Sequence, residues 1–568
     1  MNRLTIGKIR MMKNMMRSIT IFLIKEFRRG TLRANIRGIK KMELQEEMSW
    51  GELIEEQARK YGEKTFLIFE KETYSYEDMD KNANRMANFF LSLKGEKGKG
   101  VALFMENSPR FLDVFIGLQK IGMYSVPVNT SLKGDSLLYI LNHCDAQYLV
   151  IDDIYLDLLL KIIDRFENIK TIIVNKTSHN IQETSGKYYS LQEAYGMSSV
   201  NPETGYNKED ICFITYTSGT TGLPKGVVYR YKKTPVKSLS LVAYMLFRKK
   251  DILYTAMKLF HGNALFVTTT CAMCAGSTVV LSRKFSASRF WDDIRKYKIT
   301  SFNTIGAMIP MLMKQPETPL DRKNNVRFII SAACPANLWE QFEKRFGLTI
   351  YEAYGAVDGG GKIILNLGTA PVGSIGKPPM KVIHRLVDSG MNDVPLGAEG
   401  ELVFAAPKNT GKGSSVEYYK NEKASSEKSD SEWIFTGDIM KKDEKGYLYF
   451  VGRNTESMRI KGENVSAFEV EQALQKHPHV MEAAVYAVPS ELAEDDIMAS
   501  ITLVEGQKIS ERDILEFIKD NLPKFAVPRY VKIVDEFAKT ETFRIKKKEI
   551  ESMGIVPGTY DSQQNAFR

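Results

Sequence analysis

One string limits the possible folds of this chain more than any other. Residues 211–217 (Ile-Cys-Phe-Ile-Thr-Tyr-Thr) have the β-branched and aromatic character of a strand. From Tyr216 the chain then runs Tyr-Thr-Ser-Gly-Thr-Thr-Gly-Leu-Pro-Lys-Gly, ending at Gly226. The hydroxyls of Thr217, Ser218, Thr220 and Thr221 can donate to oxygen atoms, and Gly219 and Gly222 let backbone N–H groups approach closely. Lys225 adds a mobile point charge, so the string suits a polyphosphate. It is not a Walker loop, because no Gly-Lys-Ser/Thr follows and Pro224 opposes a helix running through it.

The surroundings of the string fix the fold class. Val101–Phe104, Tyr148–Ile151, Thr171–Val174 and Thr278–Leu281 read as short buried strands. Between the first two, Phe111, Leu112, Phe115, Leu118 and Ile121 recur at helical spacing, which predicts a helix over 109–121. Alternation of this kind predicts layered α/β structure with largely parallel sheets. Residues 408–432 are rich in Lys, Ser and Glu and read as an exposed loop or short helix. After Gly446 short strands and two helices, about 467–476 and 510–520, predict a small α+β domain.

Charge separates a leader from the body. The 568-residue chain carries +10, yet residues 1–41 hold twelve Lys or Arg against one acid, Glu26, a surplus of eleven. The rest is nearly neutral. Ile19–Leu23 and Ile24 form the longest apolar run of the leader, far short of the roughly 18 residues a membrane span needs. The leader reads as a basic amphipathic helix on an anionic membrane surface, reached through residues 1–41, with a solvated tail as the plainer alternative. Basic residues are not interleaved with stacking aromatics, so nucleic acid is set aside. Five cysteines are too few for a disulfide framework at this length, and a reducing, cytoplasmic compartment fits. Cys271-Ala-Met-Cys274 lacks a second pair at zinc spacing and reads as buried helix, while His477-Pro-His479 reads as a surface turn.

The string from Tyr216 to Gly226 resembles the phosphate loop of the adenylate-forming (AMP-binding) enzymes, and the resemblance extends over roughly residues 49–560. Val126–Asp135 and Trp339-x-x-Phe342-x-x-Arg345-Phe346-Gly347 look most like the fatty acid transport protein (very-long-chain acyl-CoA synthetase) and carnitine–CoA ligase branches. The charge pattern sets off a basic leader over 1–48, and the resemblance implies an adenylation domain over 49–451, made of layered α/β sheets with a small β-barrel part. It also implies a small mobile α+β domain over 452–568, joined by a hinge at about 452–456, near Thr455. It implies ATP, Mg²⁺ and CoA as reactants, and a fatty or similar lipophilic carboxylic acid as substrate. The enzyme would lie in the cytoplasm, peripherally on the inner face of a membrane.

Site residues follow by the same resemblance. Thr217, Ser218, Gly219, Thr220, Thr221, Gly222 and Lys225 would hold the ATP phosphates. His261, in Phe260-His261-Gly262, would line the acyl carboxylate pocket. Ala333, in Ser331–Pro335, would pack on adenine. Ala353, Tyr354, Gly355 and Val357 would contact the nucleotide, and Asp358 with Thr220 would bind magnesium. Asp438, in Phe435-Thr436-Gly437-Asp438, would accept the ribose hydroxyls, and Arg453 would support them. Lys461, Gly462 and Glu463 would turn inward for thioester formation.

Three positions depart from the pattern. Val357 replaces the usual Thr of the magnesium motif, a loss on the order of 1–3 kcal/mol if a partner stays unpaired. Asp358 replaces a Glu, with the same charge and a shorter reach. The C-terminal lysine of the family is absent: Thr542 falls at its place, Arg544 is the natural substitute, and Lys546 stands behind it. The expected activity is AMP-forming acid–thiol ligation. The competing readings are acyl transfer to a carrier protein and a catalytically impaired fatty-acid binding protein. No carrier domain follows the last motif, which weighs against the first of these.

Overall fold

The computed structural model describes residues 47–568, except 176–187, 203, 218–223, 307, 380–381, 407–415, 454–456, 461–462, 490–494, 520–521, 523–525 and 541–543. The leader, the phosphate loop proper and the expected hinge at Thr455 therefore lie outside the described residues. Two large sheets carry the N-terminal part. The first holds seven strands, in spatial order Tyr188–Ser190, Thr171–Asn175, Ala146–Asp152, Gly100–Phe104, Tyr124–Pro127, Ile211–Thr217 and Lys225–Arg230. All neighbours are parallel except the last pair. Every residue of Gly100–Phe104 is buried, as expected of a strand covered by helices on both faces.

The second sheet holds eight strands in the order Ile363–Asn366, Thr349–Gly355, Phe328–Ala332, Ser301–Ile305, Ile252–Thr255, Thr278–Leu281, Thr65–Phe69 and Glu72–Ser75. It is parallel in the middle and antiparallel at both edges. Helices are cut where the sequence predicts. Helix Pro109–Lys120 starts with proline after Ser108, whose hydroxyl accepts from the Phe111 N–H. Helix Trp50–Tyr61 opens with a capping box between Ser49 and Glu52. Trp50 then anchors the core: its ring meets Phe115 and Phe213 edge-on, and its indole N–H donates to Thr270 Oγ1 at 2.7 Å. Cys271 and Cys274 lie buried on helix Cys271–Ala275, as expected.

Strands His384–Val387, Glu399–Ala405, Trp433–Lys442 and Leu448–Arg453 form a third, antiparallel sheet in that order. The expected β-barrel part is corrected here. Closure requires the first and last strands to pair. Instead Leu448, on the last strand, bridges to Gly376, leaving an open four-stranded sheet. Residues 416–432 contain the short helix that the sequence allowed, Glu422–Lys428, but the segment is only partly exposed. Val416, Tyr418, Ala424, Ser425 and Ser429 are buried, and Val227 bridges to Tyr418 at the edge of the first sheet.

The C-terminal part is α+β, as predicted. Helices Ala467–Gln475 and Glu511–Lys519 cover a five-stranded sheet built on Val480–Pro489, Asp495–Leu503 and Tyr530–Ile533. Val470, Leu474, Val485, Ile501, Ile514, Ile518 and Val531 give it a core of its own. His477 and His479 sit in the turn between helix and sheet.

Candidate active site

The antiparallel register of Trp433–Lys442 on Leu448–Arg453 sets Asp438 directly opposite Arg453. Fifteen residues of sequence separation thus become one cross-strand pair, with Arg453 Nε 3.4 Å from Asp438 Oδ1. The Tyr354 hydroxyl donates to Asp438 Oδ2 at 2.6 Å, from the end of strand Thr349–Gly355 in another sheet. Asp438 is buried, and burial pushes its carboxyl up from the ordinary range against the pull of Tyr354, Arg453 and Lys428. Gly437 makes the bend before it with a φ of 76°, and its N–H donates to Glu401 at 2.8 Å.

Asp358 is held as closely. Tyr418 donates to its Oδ2 at 2.6 Å, and the Lys428 ammonium stands 3.3 Å from the same oxygen. Lys428 also donates to the Thr436 carbonyl at 3.0 Å, which ties the magnesium motif to the ribose motif. Sequence reasoning missed Tyr418 and Lys428, since both come from the stretch read as exposed. Val357 presents its carbonyl to the Tyr229 hydroxyl at 2.7 Å. Its side chain lies near Gly262, where an added Cβ would sit 3.8 Å from Val357 Cγ2.

The strands that flank the phosphate string pair antiparallel with each other. Thr217 pairs with Lys225 across strands Ile211–Thr217 and Lys225–Arg230, and Thr217 Oγ1 donates to the Lys225 carbonyl at 3.3 Å. The Lys225 ammonium lies 5.3 Å from the centre of the Tyr418 ring, a cation–π contact that links the phosphate hairpin to Asp358. Ser218, Gly219, Thr220, Thr221 and Gly222 lie outside the described residues.

The expected adenine loop is fixed by a residue that the sequence reading passed over. Glu352 stands opposite Ser331 in the parallel register, buried, and accepts from the Ala333 N–H at 2.5 Å and the Cys334 N–H at 3.2 Å. Those bonds hold Ala333 at a φ of 64°, a conformation that alanine adopts only under constraint. Burial raises the Glu352 carboxyl to about 8 against these hydrogen bonds. Its signal in the sequence is one acid within the otherwise apolar run Thr-Ile-Tyr-Glu-Ala-Tyr-Gly.

On the acyl side, His261 packs against Phe260 with ring centres 4.5 Å apart, just ahead of the π-helical run Asn263–Thr270. Short π-helical segments often mark functional sites. Burial, then the positive charge of Arg544, lowers the His261 pKa to about 4, so its imidazole is neutral at ordinary pH. The Thr540 N–H donates to the Arg544 carbonyl at 2.8 Å. Lys546 pairs with Glu549 at the surface. Glu463 opens strand Glu463–Ser466, and Lys461 and Gly462 lie outside the described residues. Contacts thus run unbroken from Thr217 through Lys225, Tyr418, Asp358, Lys428 and Thr436 to the Asp438–Arg453–Tyr354 group.

Magnesium asks for few protein ligands, often one or two carboxylates completed by substrate phosphates and water. Asp358 meets that requirement. Among the described residues no group of three or more His, Cys, Asp or Glu forms a self-sufficient metal site.

Comparison with known proteins places this geometry in a class. The AMP-binding enzyme family matches residues 54–413, and its C-terminal domain family matches residues 469–544. A crotonobetaine/carnitine–CoA ligase of Salmonella enteritidis is 31% identical over 508 residues, covering 86% of this chain and 96% of its own. A solved anthranilate–CoA ligase in complex with anthranoyl-AMP superimposes with a TM-score of 0.80 at 26% identity, covering 90% of this chain and 98% of its own. A Mycobacterium tuberculosis fatty acyl-CoA synthetase shares the fold at a TM-score of 0.64 and 22% identity, over 89% of this chain and 98% of its own. The chain belongs to the AMP-binding enzyme family, the adenylate-forming superfamily.

Proposed function

We propose that this enzyme is an ATP-dependent acyl-CoA ligase acting on a fatty or similarly lipophilic carboxylic acid. The observation that carries the reading is the contact chain joining the phosphate, magnesium and ribose motifs, from Lys225 through Tyr418, Asp358 and Lys428 to Thr436 and Asp438. In the first step a carboxylate oxygen of the acid attacks the α-phosphorus of ATP, and pyrophosphate leaves. Thr217 to Lys225 hold the β- and γ-phosphates, and Asp438 with Arg453 holds the ribose. Ala333 packs on adenine, and Ala353, Tyr354, Gly355 and Val357 line the nucleotide. Arg544 takes the part of the missing lysine, pairing bidentately with the reacting carboxylate and α-phosphate oxygens. Mg²⁺ held by Asp358 and Thr220 would neutralise phosphate charge. A neutral His261 keeps the carboxylate pocket free of a second cation competing with Arg544.

In the second step the CoA sulfur, its proton lost to solvent, attacks the acyl carbon, and AMP leaves. Rotation of residues 452–568 on residues 49–451, about the hinge at 452–456, brings Lys461, Gly462 and Glu463 to the adenylate. Such closure keeps water from the mixed anhydride. Similarity to the Salmonella crotonobetaine/carnitine–CoA ligase supports CoA as acceptor. The leader, by its charge, supports delivery of substrate at an anionic membrane surface. Among the described residues no helix is long and apolar enough to cross a membrane.

The test is pyrophosphate release and acyl-CoA formation over a panel of carnitine-like, aryl, medium-chain and long-chain acids. Acyl-CoA formed fastest from long chains supports the proposal. Preference for an aryl or carnitine-like acid overturns the fatty-acid part. Acyl-AMP without thioester points to a carrier protein as acceptor, and fatty-acid binding without ATP turnover overturns the ligase reading.

A further inference from the structure

Lys428 is a cation that the family resemblance does not call for. It ends helix Glu422–Lys428, which is started by Asn421, whose side chain accepts from the Ala424 N–H at 2.9 Å. The segment is pinned on both sides of the lysine. Ser425 receives the Ser429 N–H at 3.1 Å, and the Ser429 hydroxyl accepts from the Val416 N–H at 3.2 Å. The Lys428 side chain is 15% exposed, so its position is set by packing and not by solvent.

Its ammonium lies between two motifs. One acceptor is Asp358 Oδ2 at 3.3 Å, in the magnesium motif, and the other is the Thr436 carbonyl at 3.0 Å, two residues before Asp438. Its charge also acts on Asp438 and Glu401. Without it, Asp358 would lose its ammonium partner at a site proposed to receive a polyanion. An ammonium carries three donors, so two protein acceptors do not exhaust it. The same motif carries Val357 and a shortened acid, so its own ligating capacity is reduced.

We infer that Lys428 is a built-in counter-ion of the nucleotide site, which pairs with Asp358 in the empty enzyme and with an ATP phosphate oxygen in the loaded one. The inference rests on the reading of Asp358 as the magnesium carboxylate. It follows that ATP binding depends on divalent metal less than it would with Asp358 alone. It also follows that Lys428 and the metal compete for Asp358.

The experiment is ATP binding by the full chain, measured calorimetrically with EDTA and with Mg²⁺, together with Mn²⁺ titration of the ATP complex followed by electron paramagnetic resonance. Lys428→Met should weaken metal-free ATP binding about tenfold, the scale of one charge-assisted bond, while affinity in Mg²⁺ changes much less. Mn²⁺ should bind the variant's ATP complex more tightly. Lys428→Arg keeps the charge and should stay near wild type in EDTA, which also guards against misfolding of the Met variant. Equal weakening with and without Mg²⁺ would show a structural role only and overturn the inference, as would unchanged metal-free affinity. Asp358→Asn separates the premise. If Mg²⁺ still improves ATP binding as much in that variant, the magnesium reading of Asp358 fails, whatever Lys428 does.

Discussion

The proposed nucleotide half and the proposed acyl half of this site are built on opposite principles. On the nucleotide side each carboxylate is held by a partner from a distant segment: Asp438 by Tyr354, Asp358 by Tyr418 and Lys428, and Glu352 by the N–H groups of Ala333 and Cys334. On the acyl side the ionisable group at the centre, His261, is neutral because its surroundings are apolar and the nearby charge is positive. The first half is pre-wired for a charged ligand of fixed shape. The second, on the proposed reading, would take its charge from Arg544 of the C-terminal part. A site divided in this way can keep one nucleotide chemistry while its acid varies.

The sharpest way to break the contrast is at Arg544. Arg544→Ala should slow adenylation about a hundredfold or more, on the scale of a lost electrostatic clamp, and slow conversion of supplied acyl-AMP to acyl-CoA far less. Single-turnover rates of the two half-reactions measure this, and equal losses would remove Arg544 from the first step. Next in size is Tyr354→Phe, which removes one hydrogen bond to a buried carboxylate. ATP affinity should fall about tenfold with little change in the KM for the acid. A loss shared equally by ATP and acid would mean that the two halves are not separate.

The smallest effects are those of pH on stability, and they run in opposite directions. The Glu352 pKa is raised on folding to about 8, so the folded state holds its proton longer than the unfolded state. Its contribution is full below the unfolded value and declines as pH rises toward 8. Glu352→Gln should therefore flatten the fall in Tm between pH 5 and 9. The His261 pKa is lowered on folding to about 4, so its site loses stability as pH falls from 6.5 toward that value. Arg544→Ala should raise the His261 pKa in an NMR titration. An unmoved His261 resonance would show that the arginine's charge does not reach the acyl pocket in solution.

How much of this could be read in advance depends on whether a segment has a period. Strands such as Thr278–Leu281 and helix Pro109–Lys120 lie within a residue of their expected bounds, because buried strands and amphipathic helices write their burial into spacing. The Asp438–Arg453 pairing was also within reach, as both sit on adjacent strands of one hairpin. A small β-barrel part was expected, and the four-stranded sheet stays open, because its first and last strands do not pair. Tyr418 and Lys428 carried no legible signal. Their segment is short, polar and aperiodic, and composition alone made it look solvated.

The chemistry by itself was set by sequence. The glycine and hydroxyl string, the aspartate that can face a diol, and the strand–helix alternation are local properties of residue type and order. Beyond the Asp438–Arg453 pair, tertiary structure alone decided which groups face the buried carboxylates. Tyr354 meets Asp438 across 84 residues and Tyr418 meets Asp358 across 60. Such contacts arise only when separate sheets pack. A buried charge then takes whichever partner the packing supplies, because leaving it unpaired costs several kcal/mol, on the order of 3–5 when one partner is removed.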